Sequence, residues 1–374
     1  MSRKPELQQL DLFVLPLADV DLRDQQDTME SPFFALNKGR KTPLEYGNPK
    51  GSIYVKVSPN VSHSMATIWD ADILIWAAGT INRMQRQGDA KALAELDRTR
   101  TLHFHPIDLL RSIKRGTGGR DVQDLRAALD RLATTYIQTN IREHHQGRDR
   151  RQGFTWIEGW SEVTADRPDG SKKTLGFSLT LSNWFYMGVV QQRLLLSMEP
   201  EYFNLTGGYE RWLYRIARKH AHGTPEGWSF TLGTLHQKSG SDAPKKAFKR
   251  DLKKLAAKGD ILGYGIEWED RGRGEDPLIR VFARPEHGRN QQLALAHQKS
   301  ALARTANEAL KADPERYRDL LSARVLSRLA LKYPGVDLED ALTRFVGWNA
   351  QKGTTPRNFV AAFEGFLRQD RRQR

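Results

Sequence analysis

Cysteine is absent from all 374 residues. That excludes a disulfide framework, a thiolate zinc site and a cysteine nucleophile, and it removes any need for an oxidising compartment. No apolar run approaches the ~18 residues of a membrane span, and the N-terminal MSRKPELQQLDLF lacks the hydrophobic stretch of a secretory signal. The expectation is a soluble cytoplasmic protein with no membrane partner. Phosphate-loop chemistry is missing too. Gly116-Thr-Gly-Gly119 is not followed by the pattern G-x-x-x-x-G-K-[ST], so neither ATP hydrolysis nor helicase action has a motif, and the segment reads as a turn.

Metal chemistry is equally thin. His103-Phe-His105 has the His-hydrophobic-His form in which two imidazoles hold a metal for strand nicking, but that reaction also needs a nucleophilic tyrosine, often in Tyr-x-x-Lys. No such tetrad occurs, and Tyr214 is followed at the third place by Ala217. His144-His145 and His220-x-His222 sit beside basic residues, which disfavours a cation. No carboxylate pairs with a recognisable nucleophile or base at informative spacing. The expectation is a protein that is not an enzyme and uses no cofactor and no metal.

What the chain does have is positive charge. Lys and Arg number 59 against 45 Asp and Glu, a net charge of +14, which predicts long-range attraction to polyanions such as nucleic acid. With 39% hydrophobic residues and nine Trp, it can bury substantial cores, and its length points to two or three domains.

Residues 1–50 carry turn punctuation at Pro5, Pro16, Pro32, Gly39, Pro43, Gly47 and Pro49 and read as a flexible arm. Residues 53–57 alternate as a strand, and ADILIWAAGTINRMQRQG after Asp70 reads as a helix ending at Gly88. Leu102–His105 is a short strand, and Pro106 opens a helix that stops at Gly116–Gly119. The next helix, 120–133, has Val122, Leu125, Leu129 and Leu132 on one stripe. Strands at 134–141, FTWIEGWSEVT and TLGFSLTLS follow, with the basic stretch REHHQGRDRRQG read as a wing tip. The order of helix, strand, helix, helix and hairpin recurs from Gly208: YERWLYRIARKHA, then Trp228–Thr231, LGTLHQKSG, a helix capped by Ser241 or Asp242, and strands either side of RGRGE. The predicted fold class is therefore α+β, with two tandem winged-helix domains at 51–198 and 199–288. A helical linker and small all-α region follow at 289–374.

The third helix of the second unit carries the strongest physical signal. Lys245, Lys246, Lys249, Arg250, Lys253 and Lys254 cover one half of the helix, and Phe248, Leu252 and Leu255 fall on the other. Surface helices are often Lys-rich, but this one follows a short helix and a turn as a recognition helix would. In the first unit the corresponding face is mixed in sign. Arg120, Gln123 and Arg126 can read bases, or the face can mediate protein association. Lys114 and Arg115 before it, Arg148, Arg150 and Arg151 at the first wing, and Arg271 and Arg273 at the second are candidates for the DNA backbone or minor groove.

In the arm, Gln9-Leu10-Asp11-Leu12-Phe13 resembles at all five positions the pentapeptide by which bacterial polymerase and repair proteins grip the replicative sliding clamp. The alternative is that Leu12 and Phe13 pack onto the chain's own domain. Residues from about 30 to 285 resemble the plasmid replication initiator protein A family, through SPFFALNKGRKTPLEY, IYVKVSPN, SMATIWDADILIWAAG, LHFHPIDLLRSIKRGTGG and RLATTYIQTNI. The resemblance implies winged-helix domains that bind repeated origin sequences in double-stranded plasmid DNA, open the strands beside them and recruit host replication machinery without covalent chemistry. The sliding clamp, a host initiator ATPase, the replicative helicase and a second copy of the chain are the partners to test, and plasmid copy control is the setting. A winged-helix transcriptional regulator is the runner-up, and a metal-dependent origin nickase comes third.

Overall fold

Each local pattern of the sequence finds its partner at a distance. The computed structural model describes residues 22–49, 53–88, 90–142, 144–145, 148–149, 151–166, 172–190, 195–221, 226–272, 274–284, 329, 332–333, 336, 338–352 and 359–373. The chain falls into two compact units, Met1–His287 and Gly288–Arg374.

In the first unit, β1 (Arg23–Gln25) and α1 (Gln26–Glu30) lead to β2 (Leu44–Gly47) and β3 (Tyr54–Ser58), and then to α2 (Ala71–Gln87). Helix α2 is buried from Ala71 through Ile81 and ends where Gly88 adopts φ +70°. After α3 (Ala90–Thr99) come β4 (Thr101–Phe104), α4 (Pro106–Ser112) and α5 (Gly119–Thr134), followed by β5 (Tyr136–Thr139), β6 (His144–His145), β7 (Arg148–Asp149), β8 (Gln152–Thr155), β9 (Ile157–Asp166) and β10 (Lys172–Leu181). Pro106 occupies the first turn of α4, where its missing N–H costs nothing. Leu125, Leu129 and Leu132 of α5 are buried as their spacing requires.

After α6 (Asn183–Val190) and β11 (Leu195–Ser197), a second series begins: α7 (Gly208–His220), β12 (Trp228–Thr231), α8 (Leu232–Ser239), α9 (Lys245–Lys258), β13 (Asp260–Ile261), β14 (Tyr264–Glu269) and β15 (Leu278–Ala283). The two series share a sheet pattern. In the first the order is β4-β10-β9, and in the second it is β12-β15-β14-β13, so in each the strand before the helix pair lies beside the last strand of the hairpin after it. One continuous hydrophobic core runs through both series.

Three expectations change. Residues 22–49, read as part of a flexible arm, are built into this core: Leu22, Met29, Phe33, Phe34 and Leu44 are buried, and β1 pairs with β11. The Phe34 ring stacks on Trp156 at 4.7 Å and 9°. Turn residues mark where the chain changes direction and say nothing about what its apolar residues meet.

FTWIEGWSEVT is not one strand. It breaks at the fully buried Trp156, leaving β8 paired with β5 in the four-stranded sheet β2-β3-β5-β8 and β9 paired with β10. The basic stretch around Arg148–Arg151 therefore connects β5 to β8, while the hairpin closing the sheet beside α5 is β9–β10.

The third change is at α9, which starts at Lys245 with Pro244 at its N-cap rather than Ser241 or Asp242. Ser241 instead accepts from Ala243 N at 3.2 Å, closing the turn before the helix.

The second unit contains α10 (Leu338–Lys352) and α11 (Phe359–Gln373), packed around Leu342, Phe345, Phe363 and Leu367. No helix among the described residues is long and apolar enough to cross a membrane.

Candidate nucleic-acid interface

Helix α9 is amphipathic by spacing alone, and its burial follows. Phe248 and Leu252 are fully buried and Leu255 nearly so, each such side chain being worth roughly 1.5–3 kcal/mol. The helix pair α8–α9 is fixed by local bonds. The Thr231 hydroxyl caps α8 by accepting from Thr234 N at 3.1 Å, Gly240 turns the chain at φ +60°, and His236 Nε2 lies 2.8 Å from Ala243 O.

On the opposite side of α9, Lys245, Lys246, Arg250, Lys253 and Lys254 are exposed and Lys249 is half-buried. Lys245 Nζ pairs with Asp276 at 2.7 Å, and that hydrogen bond holds the Asp276 carboxyl below its usual range. Asp276 also accepts from Gly233 N at 2.9 Å, so the base of the β14–β15 hairpin is latched to the starts of both helices. Trp268 of β14 lies under Lys249 and Lys253, whose ammonium groups are 5.8 and 5.3 Å from its ring centroid. Asp270 accepts from Trp268 Nε1 at 2.9 Å and from Lys253 at 3.2 Å, and these two bonds, the first foremost, lower its pKa. Arg250 pairs with its neighbour Asp251 at 2.9 Å. Lys246 and Lys254 have no ion pair among the described residues. Arg271 lies in the hairpin turn, exposed, donating to Asp276 O at 2.8 and 2.9 Å. Arg273 lies outside the described residues.

Helix α5 is different in kind, although it follows α4 and a turn just as α9 follows α8. Arg126 donates twice to Glu162 of β9, at 2.7 and 2.8 Å, and that bond lowers the Glu162 pKa. Arg131 makes a matching bidentate pair with the buried Asp70 at 2.7 and 2.8 Å. Arg115 meets Asp72 at 3.0 Å, and Lys114 meets Glu201 at 2.6 Å. Arg126, Arg115 and Lys114, all singled out from the sequence, are thus held in ion pairs within the fold. Arg120 and Gln123 remain exposed on the first turns of α5, beside Asp124.

Arg151 donates to Pro49 O at 2.8 Å and lies over the Tyr54 ring. The Arg148 side chain, Arg150 and Gln9–Phe13 fall outside the described residues. Among the described residues no three His, Asp or Glu side chains gather as a metal site.

Sequence reasoning missed the basic hairpin residues Lys172 and Lys173, which are exposed at the start of β10. The missing signal was the sheet assignment of β8 and β9, which only strand pairing supplies.

The profile of replication initiator protein A matches residues 23–266. The chain belongs to the replication initiator protein A family. A protein of Wigglesworthia glossinidia brevipalpis, named for replication, is 30% identical over 249 residues, spanning 66% of this chain and 84% of the relative. Two crystal structures of domains 2 and 3 of RctB align with 68% of this chain. One has 15% identity, 97% of its own length covered and a TM-score of 0.46; the other has 14% identity, 95% covered and a TM-score of 0.43.

Proposed function

We propose that this member of the replication initiator protein A family binds origin DNA through two winged-helix modules, α2 to β10 and α7 to β15. In this reading α9 is the dominant recognition helix, with Lys246, Lys249, Arg250 and Lys254 set toward the duplex and the β14–β15 hairpin beside it. The face of six cations opposite Phe248, Leu252 and Leu255 supports it, because dense exposed charge on a helix that follows a helix and turn suits the phosphate-lined major groove.

The first module contributes less charge. Arg126 and Arg131 are committed to Glu162 and Asp70, which leaves Arg120 and Gln123 as its base-reading candidates and Lys172 and Lys173 on its hairpin. Repeated origin sites, strand opening beside them and recruitment of host proteins complete the proposal, with Gln9–Phe13 as the sliding-clamp anchor and no covalent chemistry. A footprint on the DNA flanking the protein's own gene tests it. Protection over about two helical turns is expected from one major-groove contact per module. Protection of about one turn, unchanged on deletion of the second module, would sink the tandem arrangement.

A further inference from the structure

SPFFALNKGRKTPLEY runs from residue 31 to 46 and does more than fill the core. Phe33, Phe34 and Ala35 anchor one end and Leu44 the other. Between them Asn37, Lys38, Gly39 and Lys41 emerge to solvent while Arg40 stays buried. The chain turns at Gly39, whose φ of +79° disfavours any side chain.

Arg40 pins this loop. Its guanidinium makes no direct ion pair among the described residues, although Asp242 lies near enough to attract it; it donates to Thr42 O and Pro43 O, each at 3.1 Å, and to Gly240 O, and the Arg40 carbonyl accepts from Met65 N at 2.8 Å. A buried cation bonded to three carbonyls fixes the backbone on either side of it, so the two flanking lysines are held in place at their roots.

The position of the loop is informative. Gly240 ends α8 and leads into α9, and Asn37 Nδ2 lies 3.5 Å from Asp242 Oδ1 in the same turn. On the other side, Lys38 and Gly39 line a cleft of about 400 Å3 together with Arg115, Gly116, Asp121 and Asp124, at the start of α5. The loop therefore spans from the approach to one helix of the candidate interface to the start of the other. Lys38 Nζ sits 5.7 Å over the Trp69 ring, and neither Lys38 nor Lys41 has an ion pair among the described residues. Arg115 and Arg131, which line the same cleft, are paired with Asp72 and Asp70.

We infer that Asn37–Lys41 is a third DNA-contacting element, in which Lys38 and Lys41 bind the phosphodiester backbone of the duplex between the two half-sites. This rests on the proposed function. Asp121 and Asp124 line the same cleft and repel phosphate from it, so the strand passes along the outer edge of the loop. Its contacts carry charge and no base identity, which makes them contributors to affinity and register. Arg40 is a positioning residue that acts through the backbone it holds.

The test uses the full chain and the DNA flanking its own gene, titrated over a range of salt. Lys38→Gln with Lys41→Gln should reduce the slope of log affinity against log salt by about two units, at roughly 0.9 per phosphate contact. The preference for that DNA over a scrambled fragment of equal length should be unchanged. Ethylation of phosphates between the half-sites should interfere with binding of the unaltered protein and no longer with the double variant. Arg40→Lys keeps the charge but cannot reach three carbonyls, and it should lose the same interference signal. An unchanged slope and interference pattern in the double variant, while Lys246→Ala lowers the slope, would overturn this inference and leave the proposed function standing, as it would if the loop serves an acidic protein partner. No preference of the unaltered protein for that DNA would overturn both.

Discussion

Asp72 Oδ1 lies 2.7 Å from Arg211 Nη1, joining α2 of the first series to α7 of the second through a pair withdrawn from solvent. Its other oxygen receives Arg115, from the turn before α5, at 3.0 Å. One carboxylate therefore connects the approach to one candidate DNA helix with the scaffold of the other. Arg211 is completed by Leu205 O at 2.6 Å and Phe203 O at 2.9 Å.

Asp72→Ala strands the buried Arg211 guanidinium and unpairs the partly exposed Arg115, and breaking a buried pair by removing one partner costs about 3–5 kcal/mol. Denaturant unfolding should show a loss of that order, with a smaller one for Asp72→Asn, which keeps an acceptor. A loss below about 1 kcal/mol for the alanine variant would show that the two series are held together elsewhere.

Acid should loosen the same scaffold at a second point. Glu30 of α1 receives Lys219 of α7 and Lys238 of α8. Burial by itself would raise its pKa, but the two lysines prevail and hold it at about 2, against an ordinary 4.5. A carboxyl whose folded pKa is depressed stabilises the protein above its unfolded pKa and loses that contribution as pH falls through the folded one. Stability should thus decline between pH 4.5 and about 2, by on the order of 2–3 kcal/mol from this group. Glu30→Gln should be less stable at neutral pH and flatter across that window; an unaltered profile would remove Glu30 from the account.

Basic residues on α9 and α5 should separate by phenotype. Lys246→Ala and Lys249→Ala leave the Phe248, Leu252 and Leu255 face untouched, so each should lower the salt slope of DNA binding by about one unit without changing the unfolding midpoint. Arg131→Ala deprives the buried Asp70 of its bidentate partner and should destabilise by about 1.5–3 kcal/mol. Equal effects of the two kinds of variant on DNA binding, with no difference in stability, would contradict this division.

Leu12→Ala with Phe13→Ala should abolish retention by the host sliding clamp and impair replication, leaving origin binding nearly intact. Each of these side chains is worth roughly 1.5–3 kcal/mol on full burial, part of which is lost to ordering the segment, so micromolar affinity is expected for a peptide of residues 5–17. Absence of binding at high micromolar peptide would refute the assignment.

Purified protein should neither nick supercoiled DNA with added divalent metal nor hydrolyse ATP. His103 is exposed in β4 opposite Ser178, and His105 precedes α4 at its N-cap. Metal-dependent nicking that disappears on His103→Ala with His105→Ala would falsify the non-enzymatic reading.

The sequence by itself determined the local elements and the charge. Periodicity placed α2, α5, α7 and α9, because the apolar face of a helix must be buried whatever it meets, and the cation stripe of α9 was legible for the same reason. Lysine and arginine on a strand or loop carry no such marker. Whether Arg126 faces DNA or Glu162 depends on which strand lies beside α5, and that followed from the break at Trp156, where two strands of different sheets meet in what reads as one run. Only the tertiary structure could bring Phe33 and Phe34 into the core and set the NKGRK loop between the starts of two distant helices. Those contacts join residues up to 205 positions apart, and a linear pattern fixes which residues want partners but not which distant segment supplies them.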